Sequence, residues 1–97
     1  MFAQVNGLRL AYGDRGREHE KVLLLVHGFP LDRRLWGAQA GALANMTRVI
    51  TPDLRGHGKS QVVPGPFTMD QHADDLAALL DHLKIRRAVV AGLSMGG

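Results

Sequence analysis

The segment that most constrains the fold is a short run of apolar residues in the first third of the chain. Val22-Leu23-Leu24-Leu25-Val26 contains no polar residue and is followed at once by His27-Gly28-Phe29-Pro30. The run is too short for an independent helix, and a strand with an apolar residue at every position needs cover on both faces. This pattern is typical of a buried strand in a parallel sheet, and it predicts a layered α/β architecture.

Two more strands are predicted after this run. Arg48 to Thr51 is ended by Pro52, and Ala88 to Ala91 leads directly into Gly92. Both are short segments rich in β-branched or apolar residues and bounded by residues that break regular structure. The stretch around Pro64 and Pro66 is predicted to be irregular.

Two helices are predicted between these strands. The first runs from Arg33 to about Asn45 and is capped by Asp32. The second begins at Thr68, which forms a capping box with Gln71, and it runs to about Lys84. Each helix has a predicted apolar face. These faces consist of Leu35, Leu43 and Met46 in the first helix and of Met69, Ala73, Leu76, Leu80 and Leu83 in the second.

The chain is predicted to open with an antiparallel hairpin. Asn6-Gly7 precedes an alternation of polar and apolar residues from Leu8 to Tyr12, and both turn residues tolerate a positive φ. Gly13 to Glu20 is polar and contains glycines, so we expect it to be an exposed connection. The later alternation of strands and helices predicts a parallel sheet with right-handed crossovers and a helix layer on each face.

Composition narrows the class of protein. The chain has 97 residues, of which 45% are hydrophobic and 22% are charged, and this is typical of one soluble globular domain. The first residues lack a basic stretch followed by a long apolar block, so we predict no membrane span and a cytoplasmic location. The net charge is +3, but the arginines fall in scattered pairs with acids between them, which argues against nucleic-acid binding.

Three motifs follow the three predicted parallel strands in order. They are His27-Gly28-Phe29-Pro30, then Asp53-Leu54-Arg55-Gly56-His57-Gly58-Lys59-Ser60, and last Gly92-Leu93-Ser94-Met95-Gly96-Gly97. In this order and at these separations the chain resembles the α/β-hydrolase superfamily over essentially all of its length. The resemblance implies the N-terminal part of an α/β-hydrolase fold: an antiparallel hairpin, then parallel strands with helices on both faces, ending at the nucleophile elbow.

The resemblance also implies roles for three residues. Ser94 is the nucleophile, on a tight strand-to-helix turn that lifts its hydroxyl clear of the sheet. The backbone amides of Phe29 and Met95 are the oxyanion donors. A simpler interpretation of Ser94 is a glycine-flanked serine that caps a helix. Two segments, at Gly28 and Gly92, would present amides at one crevice if their strands are neighbours.

The histidines are predicted to have structural roles. In resembling enzymes the histidine at the position of His27 shapes the oxyanion loop, and we do not expect it to act as the base. His57 is expected to form a polar network with Asp53 and Arg55 that fixes their turn. The histidines of the second helix are expected to face solvent or to pack beside the helix, and they are His72 and His82.

Cofactor and metal motifs fail on spacing, so no cofactor and no metal are predicted. Gly58-Lys59-Ser60 suggests a phosphate loop, but Asp53 stands where the first glycine is needed. Gly56-His57-Gly58 lacks the third glycine of a dinucleotide fingerprint. His72 and Asp75 have no further ligand at the spacing of a zinc site.

A serine nucleophile points to acyl transfer, because resembling enzymes that cleave epoxides or carbon-halogen bonds use aspartate at this position. The substrate could be an ester, a lactone or a thioester, and the related cleavage of carbon-carbon bonds also remains open. The elbow preceded by Leu79-Leu80-Asp81-His82-Leu83 looks most like the branch of carboxylesterases and 3-oxoadipate enol-lactonases. The resemblance therefore implies a small-molecule ester or lactone substrate, without a nucleic acid or membrane partner.

The resemblance places the catalytic acid and histidine after later strands, whereas only Met95, Gly96 and Gly97 follow Ser94. We therefore expect residues 1–97 to be an incomplete α/β-hydrolase domain that is nearly inactive in isolation. Val89 and Val90 are expected to form an apolar edge through which the chain self-associates. Two alternatives remain: an inactive truncated hydrolase that serves as a binding or dimerisation module, and a weak esterase that recruits His27 or His57.

Overall fold

A computed structural model describes residues 1–27, 32–62 and 68–92 of the chain. Within these ranges five strands form one sheet, and helices cover its two faces. The strands are β1 (Phe2–Val5), β2 (Leu8–Arg15), β3 (Val22–Val26), β4 (Arg48–Pro52) and β5 (Val89–Gly92). A 3₁₀ helix (Arg33–Trp36) leads into helix α1 (Gly37–Leu43), and helix α2 is Met69–His82. The predicted fold class is confirmed, and the predicted irregular stretch around Pro64 and Pro66 lies outside the described residues.

The predicted hairpin is present. Asn6 has a φ of 48° and Gly7 a φ of 78°, so both turn residues lie in the left-handed region that a tight hairpin turn requires. Val5 pairs with Leu8 across the turn. The two strands contribute buried side chains to the core, among them Leu8 and Leu10.

The prediction that Gly13 to Glu20 forms an exposed connection is wrong for its first three residues. β2 continues to Arg15, and Gly13 pairs with Thr51 of β4. A Cβ on Gly13 would lie 2.5 Å from the Thr51 hydroxyl oxygen, so glycine permits this close pairing. The buried carboxylate of Asp14 accepts hydrogen bonds of 2.9 and 2.6 Å from the Arg48 guanidinium. The paired charges let a polar segment enter the sheet, which local polarity alone did not indicate.

The strand order of the sheet is β1-β2-β4-β3-β5. β3 is parallel to both β4 and β5, whereas β2 is antiparallel to β4. The chain therefore moves from β3 to one neighbour and then crosses back to the other, which makes the carboxyl end of β3 a topological switch point. Val26, the last residue of β3, pairs with Gly92, the last residue of β5. The condition set by the sequence analysis, that the strands ending near Gly28 and Gly92 are neighbours, is met.

The two faces of the sheet bury different side chains of β3. Leu25 packs with Ala40 of α1, and Leu24 packs with Leu79 of α2. Alternate residues of a strand point to opposite faces, so a strand that is apolar at each position can serve two helix layers. This arrangement confirms the prediction of helices on both faces.

The first helix differs from its prediction. The Asp32 side chain caps it by accepting a hydrogen bond of 2.9 Å from the Arg34 amide. The helix nevertheless begins as a 3₁₀ turn, and α1 ends at Leu43 instead of near Asn45. Met46 is exposed, so its assignment to the apolar face is wrong because it lies beyond the end of the helix.

Helix α2 has the predicted capping box. The Gln71 amide donates to the Thr68 hydroxyl at 3.1 Å, and the Thr68 amide donates to the Gln71 side chain at 2.9 Å. Three residues of the predicted apolar face, Leu76, Leu80 and Leu83, are partly buried against the core. The buried residues are His72, Asp75 and Leu79, whereas Met69 and Ala73 are exposed. Two of these buried side chains are polar. A prediction from apolar residues alone therefore placed the centre of the buried face one residue away along the helix.

β5 is the edge strand of the described sheet. Val89 and Val90 are 69% and 58% exposed, which confirms the predicted apolar edge, while self-association through it stays a prediction. Neither α1 nor α2, nor any other helix of the described ranges, is long and apolar enough to cross a membrane.

Candidate active site

The candidate site lies where the carboxyl ends of β3 and β5 meet. His27 follows β3 directly, and Gly92 ends β5 beside Val26. In the sequence, segments 28–31 and 93–97 therefore follow two strand ends that are neighbours in the sheet. The residues predicted to act in chemistry, Phe29, Ser94 and Met95, lie in those two segments, outside the described residues. Their roles stay predictions.

His27 is fully buried and connects two strand ends. Its Nε2 accepts a hydrogen bond of 2.9 Å from the Leu54 amide. A ring nitrogen that accepts a hydrogen bond from a backbone N–H uses its lone pair for that bond. Nε2 is therefore not free to take a proton from a hydroxyl. The contact supports a structural role for His27, because it joins the end of β3 to the turn after β4.

Asp53, the first residue after β4, holds the surrounding loops together. Its buried carboxylate accepts hydrogen bonds from the Arg33 amide at 2.7 Å, the Arg33 guanidinium at 2.8 Å and the Lys59 amide at 3.0 Å. The expectation that Asp53 forms a network with Arg55 and His57 is therefore met only in part: the Asp53 carboxylate is bonded to Arg33 and Lys59, whereas Arg55 is bonded to Asp75. The connection of Asp53 to Arg33 was missed, because no local pattern joins residues 20 positions apart.

A cleft of about 310 Å³ opens beside this network and is lined by Asp32, Arg33, Arg34, Asp53, Gly58 and Lys59. Hydrogen bonds from the Arg34 side chain lower the pKa of Asp32 from 3.8 to about 2. Both acids of the cleft are bonded to arginines. The cleft is lined by paired charges. Its carboxylates are not placed to act as a general acid.

A second polar network involves the turn after β4, which carries the second motif. The Arg55 guanidinium donates to the Asp75 carboxylate at 2.6 and 2.8 Å, and the Asn6 side chain donates to the same carboxylate at 2.7 Å. The hydrogen bond with Asp75 raises the pKa of Arg55. His57 Nδ1 lies 2.9 Å from the Arg55 carbonyl oxygen. Sequence reasoning placed Arg55 and His57 in this turn but missed Asp75 and Asn6, which lie on α2 and in the hairpin.

His72 is buried, so of its two expected placements, facing solvent or packing beside the helix, the first is wrong and the second is confirmed. Its ring centroid lies 6.3 Å from that of His57, which in turn is 5.1 Å from that of His27. Burial lowers the pKa of His72 below 6.5, and the neighbouring His57, Arg55 and His27 act in the same direction while Asp75 opposes them. His82, on the same helix, is exposed.

Within residues 1–27, 32–62 and 68–92, His, Asp and Glu side chains do not gather in a group of three or more that could hold an ion.

A family model of the alpha/beta hydrolase fold matches residues 21–97. The chain belongs to the α/β-hydrolase family. The family resemblance drawn from the three motifs is thereby confirmed.

Similar proteins include two solved structures and one longer relative. A thermophilic esterase from Thermogutta terrifontis is 48% identical, with a TM-score of 0.90 over 99% of this chain and 36% of that one. The enol-lactonase from Burkholderia xenovorans is 39% identical, with a TM-score of 0.94 over 99% of this chain and 38% of that one. The dihydrolipoyllysine-residue acetyltransferase component of the acetoin cleaving system from Pseudomonas putida is 43% identical over 98% of this chain and 26% of that protein. The α/β-hydrolase chain thus spans between about a quarter and two fifths of the length of these proteins.

Proposed function

We propose that this chain carries the nucleophile and the oxyanion donors of a serine hydrolase that acts on small carboxylic esters or lactones. The pairing of Val26 with Gly92 supports the proposal most directly. Phe29 and Ser94 follow these paired strand ends in the sequence, and the ends lie at the switch point where open α/β sheets bind ligands. Nucleophile and oxyanion donors must be within a few ångströms of one another, and the pairing of Val26 with Gly92 is compatible with this requirement.

In the proposed reaction the Ser94 oxygen attacks the carbonyl carbon of the substrate and transfers its proton to a histidine base. The carbonyl oxygen becomes an oxyanion that accepts hydrogen bonds from the amides of Phe29 and Met95. The carbon-oxygen bond to the leaving group then breaks, the histidine returns the proton to the departing alkoxide, and an acyl-enzyme remains. Water attacks this ester with the same histidine as base and releases the acid. Each oxyanion donor contributes a factor of about 10² to 10³ in turnover.

The acid and base of the triad are proposed to come from sequence outside residues 1–97. The relatives that resemble this chain are much longer, and the chain covers 36% of the esterase structure. His27 already uses Nε2 to bind the Leu54 amide, which argues against its recruitment as a base. Residues 1–97 are therefore proposed as an incomplete domain whose activity alone is nearly absent, since loss of a triad base lowers turnover by roughly 10⁴ to 10⁶. A cytoplasmic location stays part of the proposal.

The test is covalent labelling of the full-length protein with a fluorophosphonate probe, followed by mass spectrometry of the labelled peptide. Within residues 1–97 the serines are Ser60 and Ser94, so a labelled peptide from this part of the protein reports on one of them. We expect labelling at Ser94 that is lost in Ser94→Ala, together with hydrolysis of p-nitrophenyl butyrate and of a simple lactone. Labelling elsewhere, or hydrolysis that survives Ser94→Ala, would contradict the proposal. Transfer of the acyl group to an added alcohol instead of water would indicate acyltransferase activity.

A second candidate is a binding or dimerisation module without catalysis. The exposed Val89 and Val90 on the edge strand favour it. It predicts a defined dimer in light scattering, dissociated by Val90→Lys, and no labelling of Ser94. A self-contained weak esterase makes the opposite prediction: the 97-residue chain alone would be labelled at Ser94.

A further inference from the structure

Segment 28–31 lies between His27 and Arg33, two residues that bind consecutive residues of one turn. On its N-terminal side, His27 Nε2 accepts the Leu54 amide at 2.9 Å. On its C-terminal side, the amide and guanidinium of Arg33 donate to the Asp53 carboxylate at 2.7 and 2.8 Å. Asp53 and Leu54 directly follow β4. The turn after β4 thus holds both ends of the segment in which Phe29 lies.

The Asp53 carboxylate is itself fixed from the opposite side. Its Oδ2 accepts the Lys59 amide at 3.0 Å, and a Cβ on Gly58 would lie 2.5 Å from its carboxyl carbon. The side chain of Asp53 is 2% exposed. The close approach of Gly58 and the hydrogen bond from the Lys59 amide hold the carboxylate independently of Arg33. Arg33 therefore binds a rigid partner, and charge-assisted hydrogen bonds of this kind are among the strongest that side chains form.

Chain connectivity extends this constraint to Phe29. A residue spans at most about 3.6 Å along an extended chain, so the Phe29 amide lies within two residues of one anchor and four residues of the other. An oxyanion donor must be placed to within a fraction of an ångström, because a displacement of 1 Å at a reacting group lowers turnover by about 10²-fold. Loss of the Asp53 contact would remove one of the two anchors that flank Phe29 in the sequence.

We propose that Asp53 is a positioning residue of the active site, which acts through Arg33 to hold the segment that carries the oxyanion donor Phe29. This inference rests on the proposed function. A purely structural Asp53 would affect stability but leave the turnover of the folded protein unchanged. A positioning Asp53 affects the transition state more than substrate binding, so kcat falls while KM changes little.

The experiment compares Asp53→Asn, Arg33→Ala and the control Arg34→Ala in the full-length protein. Arg33→Ala removes the guanidinium but keeps the backbone amide that binds Asp53, and it serves as a second variant if Asp53→Asn folds poorly. Arg34 is the neighbouring exposed arginine and binds Asp32 instead. The measurements are kcat and KM for p-nitrophenyl butyrate, the inhibition constant of phenylboronic acid, and the folded fraction by urea denaturation. The boronate forms a tetrahedral adduct with serine and so reports on the oxyanion site.

We expect Asp53→Asn to lower kcat by about 10- to 100-fold, to change KM less than threefold, and to weaken boronate inhibition by a factor similar to the loss in kcat. Arg33→Ala shows the same pattern with a smaller loss, and Arg34→Ala matches the wild type. Unchanged kcat and boronate inhibition in folded Arg33→Ala or Asp53→Asn would overturn the positioning role alone. A wild-type protein that is not labelled at Ser94 would overturn the proposed function and this inference with it, so the two failures are distinguishable.

Discussion

The Arg55 guanidinium donates two hydrogen bonds, of 2.6 and 2.8 Å, to the Asp75 carboxylate across 20 residues of sequence. Their side chains are 10% and 1% exposed. The pair joins the turn after β4 to the middle of α2, and Asn6 adds the first hairpin to the same carboxylate. Three elements that are distant in sequence therefore share one buried charge.

Asp75→Asn is expected to destabilise the protein by about 3–5 kcal/mol, because it leaves the buried Arg55 cation without its counterion. The double variant Arg55→Met with Asp75→Leu removes both charges and is expected to recover much of this loss. Equilibrium unfolding in urea measures both effects. Arg34→Ala is the matched control. It removes the exposed partner of Asp32, and we expect a much smaller change in stability. Equal effects of the single and double variants would contradict the ion-pair explanation.

Gly58→Ala is expected to destabilise the protein by at least about 1–2 kcal/mol, the penalty for a left-handed backbone with a side chain. Gly58 has a φ of 52°, and its added Cβ would meet the Asp53 carboxylate at 2.5 Å. Gly37→Ala is the control, because Gly37 has helical backbone angles and nothing lies within 4 Å of the added Cβ. We expect it to raise stability by about 0.5–1 kcal/mol. Urea unfolding midpoints of the two variants should move in opposite directions, and a shared direction would refute the argument.

His72 is expected to make stability depend on pH. Burial lowers its pKa below 6.5, so the unfolded chain binds a proton at a pH where the folded protein does not. Stability is therefore complete above pH 6.5 and falls as the pH drops below that value, with a slope of at most about 1.4 kcal/mol per unit for one proton. The loss ends once the folded protein also binds the proton.

His72→Gln is expected to flatten this part of the profile. Unfolding free energies between pH 5 and 8 check the effect, with His82→Gln as control because His82 is exposed on the same helix. An unchanged slope in His72→Gln would assign the pH dependence to other groups.

Ser60→Ala is expected to cost about 1–3 kcal/mol, the penalty for an unsatisfied buried polar group. The Ser60 hydroxyl accepts the buried Ala11 amide at 2.8 Å and donates to the Asp53 carbonyl at 2.6 Å. Thr47→Val is the control, since its hydroxyl binds only the adjacent Arg48 carbonyl among the described contacts. Differential scanning calorimetry should show a larger fall in Tm for Ser60→Ala, and equal shifts would count against the bridging role.

Local signals in the sequence determined several elements of this protein. The apolar run Val22–Val26 became a strand buried on both faces, Asn6-Gly7 became the hairpin turn, and Thr68 with Gln71 began α2. Each signal works over a few residues, because backbone angles, capping and alternation are decided by near neighbours. The motif order also determined the family, and with it the predictions for Ser94, Phe29 and Met95.

Only the tertiary structure decided which polar residues meet. Asp14 with Arg48, Arg33 with Asp53, and Asn6 with Asp75 are separated by 34, 20 and 69 residues. No periodicity marks such partners, because a buried charge is tolerated only where distant segments happen to bring its counterion. For the same reason Gly13 to Arg15 entered the sheet, and His72 and Asp75 of α2 turned toward the protein core. The neighbouring ends of β3 and β5 likewise depend on the strand order, which chain crossovers set and local sequence does not.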